Sequence, residues 1–176
     1  MDIDFTGKFA MVTGAGRGIG REVVELLLQC GASVIAVSRT AANLESLKRK
    51  HPTVETVCVN LADWTAARAA LEPYAARVDL LVNNAAYAEC LPLEQVTEEH
   101  LDIHWNLNVK AVVNVTQLVI EAMKTRRAGT IVNNSSIAGL FGIASHLAYG
   151  ASKAALDNIT KVLALELGQY NIRGKK

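Results

Sequence analysis

Short apolar runs rich in β-branched residues alternate with helical segments along the chain, and this alternation limits the possible folds more than any other feature. Runs of this kind, bounded by glycine and polar residues, are typical of strands that are buried on both faces. Strands that alternate with helices imply a parallel sheet covered by helices on both sides. The sequence therefore predicts an α/β fold, a doubly wound parallel sheet in three layers (α/β/α), with five strands at residues 9–13, 33–38, 54–59, 80–82 and 130–132.

Length and composition exclude several classes of protein. The 176 residues are 51% hydrophobic and 20% charged, which predicts a single globular domain over residues 1–176. A net charge of +1 gives no field that would attract nucleic acid, and no run reaches the ~20 apolar residues of a transmembrane segment. His100 and His104 have metal-like spacing but no evident third ligand, so no metal site is predicted. Without an apolar start, and with three scattered cysteines, the chain is expected to be cytoplasmic with free thiols.

The first predicted strand runs into a glycine-rich loop that a helix follows. Gly14, Gly18 and Gly20 permit a tight turn and a close approach of the backbone to a pyrophosphate, which the N-terminus of the helix would attract. The alternative is a purely structural turn, because the register departs from the common GxGxxG pattern. In this setting of strand, loop and helix, the sequence favours nucleotide binding.

The end of the second predicted strand indicates which nucleotide is bound. A site for NAD usually carries an acidic residue here for the ribose 2′-hydroxyl, whereas this chain has Ser38, Arg39 and Thr40. Arg39 and Arg17 of the glycine loop suit a 2′-phosphate by charge and by bidentate geometry. An exposed arginine can also be an ordinary solvated charge. The pair of arginines and the missing acid favour NADPH/NADP as the cofactor over NAD.

Tyr149 and Lys153 are four residues apart in the last predicted helix, so their side chains share a face. A neighbouring ammonium favours the phenolate, which would let Tyr149 act as a general acid toward a carbonyl oxygen. Ser136, at the end of the fifth strand, could bond the same carbonyl, and its alternative is an ordinary turn serine. Asn108 could hold a water that relays protons to the lysine, and its alternative is a satisfied buried amide.

Taken in their order and spacing, these motifs together with Asn83-Asn84-Ala85 resemble the short-chain dehydrogenase/reductase family, which has a Rossmann-type fold. The resemblance implies a catalytic tetrad of Asn108, Ser136, Tyr149 and Lys153. The cofactor contacts that it implies are Gly14, Arg17, Gly18, Ile19, Gly20, Ser38, Arg39, Thr40, Asn60, Leu61, Asn83, Ala85, Tyr149 and Lys153. The implied substrate contacts are Ser136, Ile143, His146 and Tyr149.

The part of the family that the chain resembles most implies NADPH-dependent reduction of small carbonyl compounds. The expected substrates are α-dicarbonyls and ketoses such as L-xylulose, and the reverse reaction is the oxidation of an alcohol. The resemblance also implies a homo-oligomer, a homotetramer, that is built through the last two long helices. No nucleic acid and no membrane-spanning segment belong to this expectation.

The sequence departs from the family pattern at three places. Asn60 stands where an aspartate usually contacts adenine, and Asn134 stands where an apolar residue is usual, so we expect Asn134 to perturb local packing. Beyond Arg173 the family continues into a sixth strand, a substrate lid and a seventh strand, and we expect their absence to leave the fifth strand or its neighbour with an open edge. The alternative to an active reductase is therefore a catalytically inactive truncated form that binds nucleotide or pairs with full-length subunits.

Overall fold

A parallel sheet forms the centre of the molecule in the computed structural model, which describes residues 3–176. The sheet has six strands in the order β3-β2-β1-β4-β5-β6, and each pairs in parallel with its neighbours. This is the strand order of a Rossmann-type fold, so the predicted fold class is confirmed. The strands are β1 (Phe9–Thr13), β2 (Ser33–Ser38), β3 (Glu55–Cys58), β4 (Leu80–Asn83), β5 (Gly129–Asn133) and β6 (Ile172–Lys175).

The sixth strand corrects the expectation that the chain ends before it. Ile172 to Lys175 pair with Gly129 to Val132 of β5, so β5 has a neighbour on each side and the open edge belongs to its neighbour β6, the last strand of the sheet. Ile172 is buried in the core beside Ile131, whereas Arg173 and Lys175 are exposed. The strand is therefore held by backbone pairing and by one apolar side chain.

Helices cover both faces of the sheet. They are α1 (Gly18–Gln29), α2 (Ala41–Lys50), α3 (Trp64–Ala75), α4 (Glu98–Trp105), α5 (Ala111–Arg126) and α6 (Leu147–Gly168). Thr97 is the predicted N-cap of α4, and its hydroxyl accepts a hydrogen bond from the His100 N–H at 3.1 Å. Between α4 and α5, residues Asn106–Lys110 form one turn of π-helix, called here the π segment. None of the helices within residues 3–176 is both long and apolar enough to cross a membrane.

The alternation of side chains along the strands divides the core into two layers. Ala10 and Val12 of β1 face α1 and α2, where they pack with Val24 and Leu47. Met11 of β1 faces the opposite side. That second layer contains Leu71 of α3, Val115 and Met123 of α5, and Leu167 of α6, together with Ile35, Leu81 and Ile131 of the strands. Because both faces are covered, the open surface of the sheet lies at its strand ends, where parallel folds of this type bind ligands.

Candidate active site

A cavity of about 600 Å³ lies at the carboxyl ends of the strands. Its volume is in the range of sites for small molecules and cofactors. The lining residues come from the ends of the strands, the segments that follow them and the π segment: Gly14, Gly16, Arg17, Ile19, Ser38, Arg39, Thr40, Asn43, Val59, Asn60, Leu61, Asn84, Ala85, Ala86, Tyr87, Leu107 and Asn134. Most of the predicted cofactor residues therefore meet around one space, although five of them do not line it: Gly18, Gly20, Asn83, Tyr149 and Lys153.

The glycine loop lies so close to neighbouring residues that side chains at three of its glycines would not fit. Gly14 has φ 66°, and a Cβ on it would lie 2.8 Å from the Ala85 Cα. A Cβ on Gly16 would lie 2.7 Å from the Ser38 Oγ, and one on Gly20 would collide with the Gly14 carbonyl oxygen. The first turn of α1 follows, and its unpaired N–H groups form a site for anions. This bare backbone next to a helix N-terminus fits a dinucleotide pyrophosphate.

The charge of the cavity fits an additional phosphate. Arg17 and Arg39 are both exposed and line it, beside Ser38 and Thr40. No carboxylate is found among the lining residues of the described chain, 3–176. An acidic residue that could accept the ribose 2′-hydroxyl of NAD is therefore missing from the lining, whereas two guanidinium groups are present for a 2′-phosphate.

Polar side chains tie the ends of β1, β4 and β5 together. The Thr13 hydroxyl accepts hydrogen bonds from the backbone N–H groups of Asn84 and Ala85, at 2.9 and 3.1 Å. The Asn84 amide donates to the Thr13 carbonyl at 3.1 Å, and its Oδ1 accepts from Asn134 Nδ2 at 3.0 Å. The expectation that Asn134 perturbs packing is therefore wrong, because Asn84 provides it with a partner.

The preceding asparagines form a second, fully buried network. Asn83 Nδ2 donates to Asn133 Oδ1 at 2.9 Å and to the Thr116 hydroxyl at 3.3 Å. Asn133 Nδ2 donates in turn to the Thr160 hydroxyl at 2.9 Å. The side chain of Asn83, a predicted cofactor contact, thus points into the layer of α5 and α6. In this structure the Asn83 side chain links β4 to β5 and to α5 through hydrogen bonds.

Tyr149 and Lys153 lie on one face of the first turns of α6, as their spacing predicts. The Lys153 Nζ is 5.8 Å from the centroid of the Tyr149 ring and donates to the Asn134 carbonyl at 2.7 Å. Lys153 is only 3% exposed, and burial lowers its pKa to about 8, although the charge of Asp157 acts in the opposite direction. At neutral pH the side chain is still mostly an ammonium. Asn134 joins this ammonium to the wall of the cavity.

Asn108 lies in the π segment and is 1% exposed. Its Oδ1 accepts from the Tyr87 N–H at 2.8 Å, and its Nδ2 donates to the Tyr87 carbonyl and to the Ser152 hydroxyl, each at 2.9 Å. Both amide hydrogens are therefore engaged by protein acceptors. The side chain joins the segment after β4 to α6, one position before Lys153.

The remaining predicted residues lie around the start of α6. The Ser136 Oγ accepts from the Ala138 N–H at 3.2 Å, which leaves the hydroxyl hydrogen free to donate. The His146 ring stands 6.4 Å from the Tyr149 ring, and its Nδ1 is 2.8 Å from the Ala144 carbonyl oxygen. Ile143 is 42% exposed, and the chain between Ser136 and Tyr149 carries four further exposed apolar side chains: Ile137, Leu140, Phe141 and Leu147. The segment that leads into α6 therefore exposes much apolar surface.

Several lining residues carry no recognisable signal in the sequence. Tyr87, Asn43, Val59 and Leu107 line the cavity only because strand ends far apart in the chain meet there. Asn84 and Ala86 belong to the motif that follows β4, so the resemblance could have included them. His104 is 1% exposed, and its ring lies 4.9 Å from the Tyr87 ring and 6.4 Å from the Tyr149 ring. Its helical spacing from His100 suggested only a metal site.

Comparison with known proteins agrees with this architecture. The family model described as short chain dehydrogenase matches residues 8–175. The chain therefore belongs to the short-chain dehydrogenase family, which makes it an oxidoreductase.

Individual relatives give further detail. The chain is 51% identical over 174 residues to L-xylulose reductase of Bos taurus, in an alignment that covers 98% of this chain and 71% of that protein. It is 44% identical over 174 residues to carbonyl reductase (NADPH) 2 of Sus scrofa, with the same coverage of 98% and 71%. A gluconate 5-dehydrogenase of Burkholderia cenocepacia J2315, solved in complex with NADP and tartrate, superposes with a TM-score of 0.91 at 27% sequence identity. The superposition covers 98% of this chain and 71% of that protein.

Proposed function

We propose that the chain is an NADPH-dependent carbonyl reductase that transfers hydride to α-dicarbonyls and to ketoses such as L-xylulose, and oxidises the alcohols in reverse. One observation carries the proposal: a phenol and a buried ammonium share a helix face, next to a cavity with two arginines and no lining carboxylate among residues 3–176. The similarity to an L-xylulose reductase and to an NADPH carbonyl reductase supports this substrate class.

The cavity residues have distinct roles toward the cofactor. Arg17, Ser38, Arg39 and Thr40 bind the 2′-phosphate, and the glycine loop with Ile19 binds the diphosphate. Asn60 and Leu61 contact the adenine, where the amide of Asn60 replaces a carboxylate as hydrogen-bonding partner. When bound, NADPH supplies the hydride that the carbonyl carbon accepts.

The residues of α6 and the end of β5 handle the proton. Tyr149 donates its phenolic proton to the carbonyl oxygen as negative charge develops there. The Lys153 ammonium stabilises the phenolate that remains, and the free hydrogen of the Ser136 hydroxyl donates to the same carbonyl oxygen. Asn108 holds the segment after β4 in place against α6 through its hydrogen bonds to Tyr87 and Ser152. Ile143 and His146 contact the rest of the substrate.

Turnover and binding should be measured separately to test this function. We expect the chain to oxidise NADPH in the presence of diacetyl or L-xylulose, and to use NADH at least ~10-fold less well because Arg17 and Arg39 favour the phosphate. Tyr149→Phe should reduce kcat by ~10²-fold or more while NADPH still binds, since only the proton donor is lost. Binding without turnover in the parent chain would support the inactive nucleotide-binding form instead.

We also propose that the chain acts as a single domain and forms a homo-oligomer through the long helices α5 and α6, with α4. Large apolar side chains are exposed on two of these helices: Leu101 and Trp105 on α4, and Leu147, Val162 and Leu165 on α6. Such side chains in one region are typical of a contact surface. The cysteines Cys30, Cys58 and Cys90 are free thiols, which fits a reducing, cytoplasmic compartment.

A further inference from the structure

The segment that follows β4 is clasped by α4 and the π segment. Residues 86–90 are called here the wall segment, because Ala86 and Tyr87 line the cavity. Asn108 bonds both backbone groups of Tyr87, as described above. Two residues further on, the Glu89 N–H donates to His104 Nε2 at 3.3 Å, and the Glu89 carbonyl oxygen lies 3.2 Å from His100 Nε2. The wall segment is therefore held at two points by three side chains.

These contacts determine where the protons of the two imidazoles lie. His104 Nε2 accepts a hydrogen bond from the Glu89 N–H and therefore carries no hydrogen itself. The ring hydrogen is consequently on Nδ1, which lies 2.8 Å from the His100 carbonyl oxygen. His100 Nε2 faces a carbonyl oxygen and must carry a hydrogen. The His100 Nδ1 is buried and has no hydrogen-bonding partner within residues 3–176. Both rings are consequently neutral, each in one particular tautomer.

The clasp also determines the position of a side chain in the cavity. The Tyr87 hydroxyl donates to Glu89 Oε2 at 2.6 Å, and this hydrogen bond raises the pKa of Tyr87. The Tyr87 ring packs against the His104 ring, with 4.9 Å between centroids and 67° between the ring planes. The phenol is thus held between the imidazole and the wall segment that the imidazole binds.

We infer that His100 and His104 are positioning residues, which hold the wall segment against α4 and thereby set the place of Tyr87 in the cofactor cavity. The hydrogen bonds and ring contacts alone carry the structural part of this inference. Its consequence for cofactor affinity rests on the proposed function.

Acid opposes this arrangement. A protonated His104 presents an N–H to the Glu89 N–H, and a protonated His100 buries a second N–H that has no acceptor. The titratable groups that face the pair are Tyr87 and Glu89 of the wall segment and Tyr149 of α6, with Lys153 beyond the Tyr149 ring. Protonation of either ring would therefore weaken the clasp.

Two substitutions of His104 separate its hydrogen bond from its volume. His104→Phe keeps an aromatic ring against Tyr87 but loses the acceptor for the Glu89 N–H, whereas His104→Gln can offer a side-chain oxygen as acceptor. Hydrogen exchange of the backbone amides in residues 86–90 should be measured at pH 7.5. We expect about 5- to 10-fold faster exchange in the Phe variant than in the parent and recovery in the Gln variant. Equal exchange in the parent and the Phe variant would overturn the inference.

A titration of NADPH fluorescence tests the consequence for the cofactor. At pH 7.5 we expect His104→Phe to bind NADPH about 3- to 10-fold more weakly than the parent chain, and His104→Gln to bind it with nearly the affinity of the parent. Equal affinity of the parent and the Phe variant would remove the link to the cofactor. Failure of the parent to bind NADPH at pH 7.5 would refute the proposed function, while the exchange data would still decide on the clasp.

Discussion

At the scale of single residues, the charge on Lys153 depends on a carboxylate one helical turn away. Asp157 is buried, which by itself would raise its pKa, but the hydrogen bond and the charge of Lys176 hold that pKa below its usual value. Asp157 therefore stays ionised and raises the pKa of Lys153 against the larger effect of burial. The ammonium is present below a pH of about 8 and is lost above it.

The first prediction concerns this pair. Asp157→Asn removes the anion, so the pKa of Lys153 should fall further below its present value of about 8. Because the ammonium stabilises the phenolate of Tyr149, carbonyl reduction at pH 8 should drop by ~3-fold, and the alkaline limb of the pH–rate profile should move to lower pH. The profile of kcat/KM checks this.

The matched control for Asp157→Asn is Lys176→Met. This variant breaks the ion pair of 2.7 Å but leaves the Asp157 carboxylate in place, so the alkaline limb should not move to lower pH. A shift to lower pH in both variants would show that the loss of structure, and not the loss of charge, is responsible.

Sequence patterns predict site residues only where the contacts are local. Tyr149 and Lys153 are four residues apart, so helical geometry alone places them together. The partners of Asn134 and Tyr87 lie far away in the chain: Asn84 is 50 positions from Asn134, and Asn108 is 21 positions from Tyr87. No local pattern reveals such pairs, so the sequence shows neither the partner of Asn134 nor the place of Tyr87 in the site.

At the scale of elements, the glycine loop depends on the absence of side chains at particular positions. Gly14 and Gly18 both have positive φ, 66° and 55°. They differ in their surroundings, because a Cβ on Gly14 meets the backbone of Ala85 whereas a Cβ on Gly18 meets nothing within 4 Å. The two positions therefore separate backbone strain from steric conflict.

Alanine substitutions should distinguish these two costs. Gly18→Ala should lower the free energy of unfolding by ~1 kcal/mol, from left-handed strain alone. Gly14→Ala adds a clash with a strand end that other contacts hold in place, so we expect ~2–4 kcal/mol and a larger loss of NADPH affinity. Urea denaturation and NADPH titration of both variants provide the measurement, and equal losses would contradict the role assigned to the contact between Gly14 and Ala85.

Elements were predictable in proportion to their apolar pattern. The first five strands stand out as short apolar runs, and the Thr97 cap predicts the start of α4. Strand β6 reads Ile-Arg-Gly-Lys, with one apolar residue and two exposed charged ones, so it lacks the signature of a buried strand. Its pairing with β5 and the burial of Ile172 form it, and neither is visible in the local sequence.

At the scale of the whole molecule, α6 has a buried inner side and an exposed outer side, and both carry apolar residues. Lys153, Leu156 and Thr160 are buried against the site and the sheet, whereas Val162 and Leu165 are 42% and 82% exposed. An apolar outer side is unfavourable in water unless another surface covers it. This arrangement is the physical basis of the proposed oligomer.

Leu165→Glu should break that oligomer, since it places a charge within an apolar contact. We expect light scattering after gel filtration to report a smaller assembly than for the parent chain, and urea denaturation to show little change within the subunit. Leu26→Glu is the control, because Leu26 is 60% exposed on α1, away from α4 and α6. Dissociation by both variants, or by neither, would contradict an interface on α6.

The strand order also has a consequence for synthesis. Strand β1 pairs on one side with β2, which follows soon after it, and on the other with β4, where Met11 lies opposite Leu81. A nascent chain has therefore completed β1, β2 and β3 well before β4 emerges, and one edge of β1 has no partner during that interval. Unpaired edges of apolar strands recruit strands from other chains. We expect the yield of native protein to fall as nascent chains become concentrated, although the finished sheet covers that edge completely.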